Sequence, residues 1–198
     1  MPDSPIRRQV RAAGRPPIID PDAVAAVAVR LFTERGYEAT SMDDVAVAAG
    51  VGRKSLYRYF PSKSALVWGG FEVATAASRG VLGGRGEPAP DDPLEVLRAA
   101  AAASAQALPD LAVTRGRLRL IAEHSELGAH SYAMLGGQRQ AVVEFLVSAG
   151  LSDSAAYYLS AGYSAALFAG WLHWAQGEDA EPLPHLLEAL RVLRIPGA

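Results

Sequence analysis

The stretch SMDDVAVAAGVGRKSLYRYFPSK, from Ser41 to Lys63, restricts the fold more than any other part of the chain. Met42, Val45, Ala46 and Ala49 recur at i, i+3, i+4 and i+7 and so share one face of a short helix. Ser41 is a favoured N-cap, and Asp44, three residues on, occupies the acid position of a capping box, where negative charge also suits the helix dipole. Gly50 can take the left-handed conformation that closes a helix, Val51 can drop beneath the turn, and Gly52 is a tolerated N-cap for a second helix. That helix, Arg53 to Tyr59, has Leu56 and Phe60 on its inner side, which turns Lys54 and Arg58 outward with Arg53, Ser55 and Tyr57 beside them. Two helices joined by a tight turn, the second short and rich in donors, suit insertion into a DNA major groove. Pro61 ends the second helix and Ser62 caps a third, whose first turn carries Lys63 and can receive a phosphate on its free N–H groups.

The charge distribution agrees with a nucleic-acid partner at this end. Residues 1–63 hold ten Lys and Arg against seven Asp and Glu, whereas residues 64–198 hold nine against fourteen, and both lysines of the chain, Lys54 and Lys63, lie in the stretch above. Residues 1–17, with Arg7, Arg8, Arg11 and Arg15 among Pro and Gly, have no apolar periodicity and read as a flexible basic arm able to reach phosphates or a minor groove.

The remaining sequence predicts an all-α protein of about nine helices. Asp20 caps a first helix with Pro21 at its first position, and Gly36 ends it; Val24, Val27, Ala28, Leu31 and Phe32 form its apolar stripe. A long helix from Ser62 to about Leu82 leads into a loop rich in Gly and Pro. Further helices are expected over Pro93 to Leu108, Leu111 to about Glu126, Leu127 to Ala149, Ser152 or Asp153 to Gln176, and Leu183 to Leu193. The runs have helical period and no strand-like alternation. A chain of 198 residues, 50% of them hydrophobic, builds a good core in one or two domains: a DNA-binding domain over 18–62 and a C-terminal domain over 63–198.

Several classes of chemistry are not expected. There is no cysteine, hence no thiol catalysis, disulfide or cysteine metal site. His124, Glu126 and His130 have a spacing that does not bring both imidazoles to one helix face, so no metal site is predicted, and no cofactor. No convergent set of acids, bases or nucleophiles suggests an enzyme. Met1 to Ile19 does not read as a signal peptide and no run of 18 apolar residues occurs, so a cytoplasmic location is expected. For self-association the candidates are the small residues Ala161, Ala165 and Ala169 and the stripe Leu183, Leu186, Leu187 and Leu190; packing within the monomer is the other reading of both.

Taken together, Leu31 to Tyr37, Thr40 to Ala46, Ala49 to Val51 and Leu56 to Lys63 resemble the TetR family of bacterial transcriptional regulators. The resemblance implies a homodimeric DNA-binding regulator acting on an inverted-repeat operator, with a four-helix dimer interface and a pocket for a small effector between the link helix and the dimer helices. It implies base contacts from Arg53, Lys54 and Arg58, and phosphate contacts from Ser41, Ser55, Tyr57, Tyr59 and Lys63. Candidate effector-pocket residues are Trp68, Phe71, Leu118, Ile121, His124, Tyr132, Tyr163, Phe168 and Trp171, with Leu97, Met134, Phe145 and Trp174 as further wall positions. Arg58 to Lys63 followed by Trp68, Gly69 and Phe71 is also similar to regulators found with mycofactocin systems, which respond to long-chain acyl-CoA. That likeness would place Arg115, Arg117 and Arg119 at CoA phosphates. A ligand-released repressor is the principal reading; an activator of the same family, or a helical dimer that binds small molecules without DNA, are the others.

Overall fold

The computed structural model describes residues 19–84 and 92–194, so the basic arm and most of the Gly- and Pro-rich loop fall outside the described residues. Among the described residues there are twelve helices and no strand. In α1 (Pro21–Arg35) the Asp20 carboxylate accepts from the N–H groups of Asp22 and Ala23, and Gly36 follows with φ 91°. Helix α2 (Met42–Ala48) starts with the full capping box: the Asp44 N–H donates to the Ser41 hydroxyl oxygen at 3.2 Å and the Ser41 N–H donates to the Asp44 carboxylate at 2.9 Å. The Ser41 hydroxyl, which donates to the same carboxylate, and then the Ser41 N–H hold the Asp44 carboxyl below its usual range. Gly50 has φ 65°, and the Val51 N–H donates back to the Ala46 carbonyl at 3.0 Å. Gly52 then opens α3 (Arg53–Tyr59), and Ser62 caps α4 (Lys63–Trp68) by accepting from the Ala65 N–H.

The expected long helix is broken. Helix α4 stops at Gly69, and α5 (Glu72–Leu82) begins only after Gly70 and Phe71. Gly70 has φ 80°, and a Cβ there would sit 2.7 Å from the Arg117 guanidinium; at Gly69 it would sit 3.1 Å from both the Phe60 ring and Ala25. The chain turns here because two bare backbone positions are needed to pass a packed arginine and a packed ring. Helices α6 (Pro93–Gln106) and α7 (Leu111–Glu123) follow, each capped by an aspartate, Asp92 and Asp110. The expected helix from Leu127 is also divided, into α8 (Ser125–Ala129), α9 (Ser131–Met134) and α10 (Gly136–Ser148). Helix α9 buries no residue, so no packing face imposes a continuous axis on this glycine-containing segment. Helices α11 (Asp153–Gln176) and α12 (Leu183–Leu190) complete the chain.

Three apolar clusters hold these elements. The first joins α1, α2 and α3 to Leu66, Val67 and Trp68 of α4, to Val113, Leu120 and Ile121 of α7, and to Leu127 of α8. Helices α1, α2 and α3 therefore share one core with the helices behind them. Arg30 of α1 and Asp110, the α7 cap, add a 2.8 Å ion pair across the same junction. A second cluster lies among α5, α6, α10, α11 and α12, and a third surrounds Leu118 and Trp174. The leucine stripe of α12 divides: Leu186 and Leu190 are buried within the subunit, whereas Leu183 and Leu187 are half-buried. Helical steps of three and four put these pairs on adjoining faces, and the inner face packs on α11, where a Cβ at Gly170 would lie 3.0 Å from the His185 carbonyl. This corrects the expectation of a shared interface stripe for Leu186 and Leu190: the close packing of α12 on α11 takes them into the monomer core.

Candidate nucleic-acid interface and effector cavity

Helix α3 carries the first candidate site. Leu56 is 1% exposed and Phe60 is buried, and together they seat the helix on the first core. The opposite surface is open: Arg53, Lys54, Tyr57, Arg58 and Tyr59 are exposed and Ser55 is half-buried. Arg53 Nε lies 2.6 Å from Asp43 Oδ1 of α2, a solvent-exposed pair of about 0–1 kcal/mol that DNA can replace at small cost. The Arg58 guanidinium lies over the Tyr59 ring, 5.1 Å from its centroid. Ser41 is exposed, but its hydroxyl is already hydrogen-bonded to the Asp44 carboxylate at 2.5 Å. Lys63 is also engaged: Nζ donates to the Tyr37 carbonyl at 2.7 Å, lies over the Tyr37 ring, and is 3.7 Å from Glu38. Both would have to exchange an internal partner to meet a phosphate.

Behind this unit an apolar cavity of about 70 Å³ opens between α4, α5, α7 and α11. Trp68, Phe71, Leu118, Tyr163, Phe168 and Trp171 line it, as the sequence suggested for six of its nine candidates. Trp68 is held by its indole N–H, which donates to the Leu127 carbonyl at 3.2 Å, and its ring lies against Phe71 and Phe168. Burial raises the pKa of the Tyr163 hydroxyl, which donates to the Leu97 carbonyl. The other three candidates lie elsewhere. Ile121 is in the first core, His124 stands against Tyr37 at the junction with the DNA-reading helices, and Tyr132 is exposed beneath the Arg139 guanidinium. Of the further wall positions, Leu97 and Phe145 belong to the second core, Met134 is exposed, and Trp174 is in the third cluster.

Sequence reading missed the polar part of the lining. Thr75, Ser78, Gln138 and Ser164 all border the cavity. The Gln138 amide N–H donates to the Ser78 hydroxyl at 2.6 Å, while its carbonyl oxygen is buried without a partner. The signal that would have found two of them is the α5 register, since Phe71, Ala74, Thr75 and Ser78 fall at helical spacing on one face.

The three arginines of α7 are not arranged around a phosphate. Arg115 donates to the carbonyls of Gly177 and Asp179 and stacks on Trp174; Arg119 donates to those of Ala175 and Gly177. They close the C-terminal end of α11, where free carbonyls attract cations. Arg117 is 3% exposed, over the Phe71 ring and against Gly70, and desolvation pushes its pKa down to about 10. The expectation that these three meet CoA phosphates is corrected by those internal contacts.

A capped helix, a left-handed glycine turn and an exposed basic helix, backed by helices around an apolar cavity, define a helix-turn-helix transcriptional regulator. The chain belongs to the TetR family of bacterial regulatory proteins, whose N-terminal domain model matches residues 25–67, and residues 91–196 match the MftR C-terminal domain. It is 35% identical over 138 residues, 67% of each chain, to a mycofactocin biosynthesis transcriptional regulator, MftR, of Mycobacterium tuberculosis. It is 41% identical to the transcriptional repressor ComR of Escherichia coli over 56 residues, 28% of this chain and 27% of that one. Among solved structures, the fatty acid degradation regulator FadR of Bacillus halodurans superposes with a TM-score of 0.61 at 18% identity, covering 90% of this chain and all of that one. FadR of Thermus thermophilus, a transcriptional repressor in complex with lauroyl-CoA, gives 0.57 at 20% identity, covering 90% and 98%. At such identities the structural likeness is one of fold.

Proposed function

We propose that the protein is a homodimeric repressor that binds an inverted-repeat operator through α3 and is released when a small, largely apolar effector enters the cavity behind α4. The observation that carries this reading is the exposed Arg53, Lys54, Tyr57, Arg58 and Tyr59 surface on a helix whose other side is anchored by Leu56. In this reading residues 18–62 bind DNA and residues 63–198 bind effector and partner subunit. Arg53, Lys54 and Arg58 contact base edges, while Ser41, Ser55, Tyr57, Tyr59 and Lys63 hold phosphates. A recognition helix of seven residues covers few base pairs, so two copies in successive major grooves, about 34 to 36 Å apart or a multiple, supply the affinity. The outer face of α11, with half-buried Ala161 and exposed Ala165 and Ala169 between Tyr158, 72% exposed, and His173, is the surface proposed to meet the second subunit, flanked by Leu183 and Leu187.

The cavity, at about 70 Å³, is smaller than the several hundred Å³ of a typical ligand pocket, so the effector has to enlarge it. Displacing Trp68 or Phe71 acts directly on α4, whose first residue, Lys63, is bonded to the helix-turn-helix at Tyr37. The effector's leverage is its differential affinity for the two arrangements, typically about 1 to 3 kcal/mol of coupling. ComR and FadR of T. thermophilus are repressors, and the latter binds lauroyl-CoA, which makes that molecule the first probe. In this protein the acyl chain would take the cavity, and the unpartnered Gln138 carbonyl would accept from a donor on the effector.

Two measurements test the reading. Footprinting and anisotropy on DNA upstream of the protein's own gene should find a palindromic site. Arg53→Ala and Lys54→Ala should change its sequence preference, and Lys63→Ala should weaken binding to all DNA and lower the salt dependence by about one unit of slope. Equal losses on specific and random DNA for all three would refute that division of roles. Lauroyl-CoA should weaken operator binding by at least about fivefold, and Ser164→Leu, which fills the cavity, should remove the response while keeping the operator affinity. A variant that still responds like the parent places the effector elsewhere.

A further inference from the structure

The loop before α2 and the α7–α8 junction bring together three side chains that are far apart in sequence. A ligand atom from each of Glu38, His124 and Glu126 lies within 4.8 Å of the other two, and His124 Nδ1 is 3.7 Å from Glu126 Oε1. We propose that these residues form a divalent transition-metal site joining the DNA-reading helices to the C-terminal helices.

The donor set defines the class of ion. One imidazole and two carboxylates suit Zn²⁺ and the neighbouring divalent ions Mn²⁺, Fe²⁺, Co²⁺ and Ni²⁺, and neither Cu⁺, which prefers sulfur, nor Mg²⁺ and Ca²⁺, which prefer oxygen alone. Metal–ligand bonds of about 2.0 to 2.2 Å put donor atoms about 3.3 to 3.6 Å apart around a tetrahedral ion, so the three groups need to close by about an ångström. Both carboxylates are more than half exposed and free to rotate by that amount. The imidazole is the fixed member. His124 has extended backbone between α7 and α8, and its ring centroid is 4.7 Å from that of Tyr37. Three protein ligands leave a fourth position for water.

The electrostatics of the place ask for a cation. Two carboxylates are held close together, and the nearest lysine, Lys63, is 3.7 Å from Glu38 with its Nζ already donating to the Tyr37 carbonyl. Glu38 precedes the Ser41 cap of α2, so an ion held here ties the entry to the helix-turn-helix to the far side of the junction. Ion and operator DNA would each change the other's affinity by the same factor.

The test uses the full chain, stripped with a chelator and titrated with Co²⁺ by visible absorption and with Zn²⁺ by calorimetry. One ion per chain is expected, bound at least about tenfold more weakly by Glu38→Gln and by His124→Ala. Glu95→Gln, which removes an exposed carboxylate paired with Arg98 on α6, should leave the titration unchanged. Glu38→Gln is the decisive variant, because this exposed side chain otherwise holds only the 3.7 Å pair with Lys63. Absence of uptake overturns the proposal, and so does unchanged uptake by Glu38→Gln. Operator binding by the same stripped samples is read separately. Failure both with and without added Zn²⁺ would count against the regulator reading, whereas operator binding together with failed ion uptake removes only the metal site.

Discussion

Leu56→Ala is expected to cost operator binding about a hundredfold or more while most of the protein stays helical. Leu56 is the buried residue of α3, which has only seven residues and no side-chain cap at its Gly52 start. A helix that short does not persist in water by itself, so its position depends on the tertiary contact. Truncating a buried leucine removes about 2 to 5 kcal/mol, and here there is no other anchor within the helix to absorb the loss. A hundredfold drop corresponds to about 2.8 kcal/mol, within that range. The far-ultraviolet circular dichroism should fall only slightly, since α3 is one short helix among the twelve of the described residues. Anisotropy on the operator decides the matter; affinity within threefold of the parent would mean that α3 is positioned by something other than Leu56.

Trp174→Ala is expected to lower the thermal midpoint by about 10 °C. Trp174 is fully buried near the end of α11, where its indole N–H donates to the Asp179 carbonyl at 3.0 Å. The Arg115 guanidinium lies 4.4 Å above its ring, and Trp171 meets it edge to face at 5.9 Å. Removing such a ring costs about 3 to 5 kcal/mol, and each kcal/mol shifts the midpoint of a domain of this size by about 2 to 4 °C. Arg115 also loses the platform that aims it at the Gly177 and Asp179 carbonyls, so the turn between α11 and α12 should loosen as well. Trp174→Phe keeps an aromatic ring under Arg115 but loses the indole bond and part of the buried volume, and should fall between parent and alanine variant. A midpoint change below about 3 °C in Trp174→Ala would contradict this account of the third cluster.

The parts of the protein legible in its sequence are those held by short-range forces. The Ser41–Asp44 capping box, the left-handed Gly50, the Gly52 start of α3 and the Ser62 cap of α4 all join residues at most four apart. Helical spacing alone likewise places Leu56 inward and Arg53, Lys54 and Arg58 outward. Six cavity residues were legible because large aromatic and aliphatic side chains on the middle helices have few places to go but inward. The polar lining was not, because Ser78 and Gln138 look like surface residues until α5 and α10 are brought together and a 2.6 Å hydrogen bond joins them.

The amino-acid sequence by itself determined an all-helical chain, a DNA-reading unit at one end, its caps and its exposed basic face. Tertiary structure alone decided where α4 gives way to α5, which leucines of α12 belong to the subunit core, and that the α7 arginines serve α11, Gly70 and Phe71 rather than a phosphate. It also placed Glu38 beside His124 and Glu126. Each of these depends on a partner remote along the chain: Arg117 at Gly70, α11 beneath α12, the α11 end at Arg115. Local propensity is written in neighbouring residues, but which surfaces meet is settled only when the chain closes on itself and one partner excludes the others.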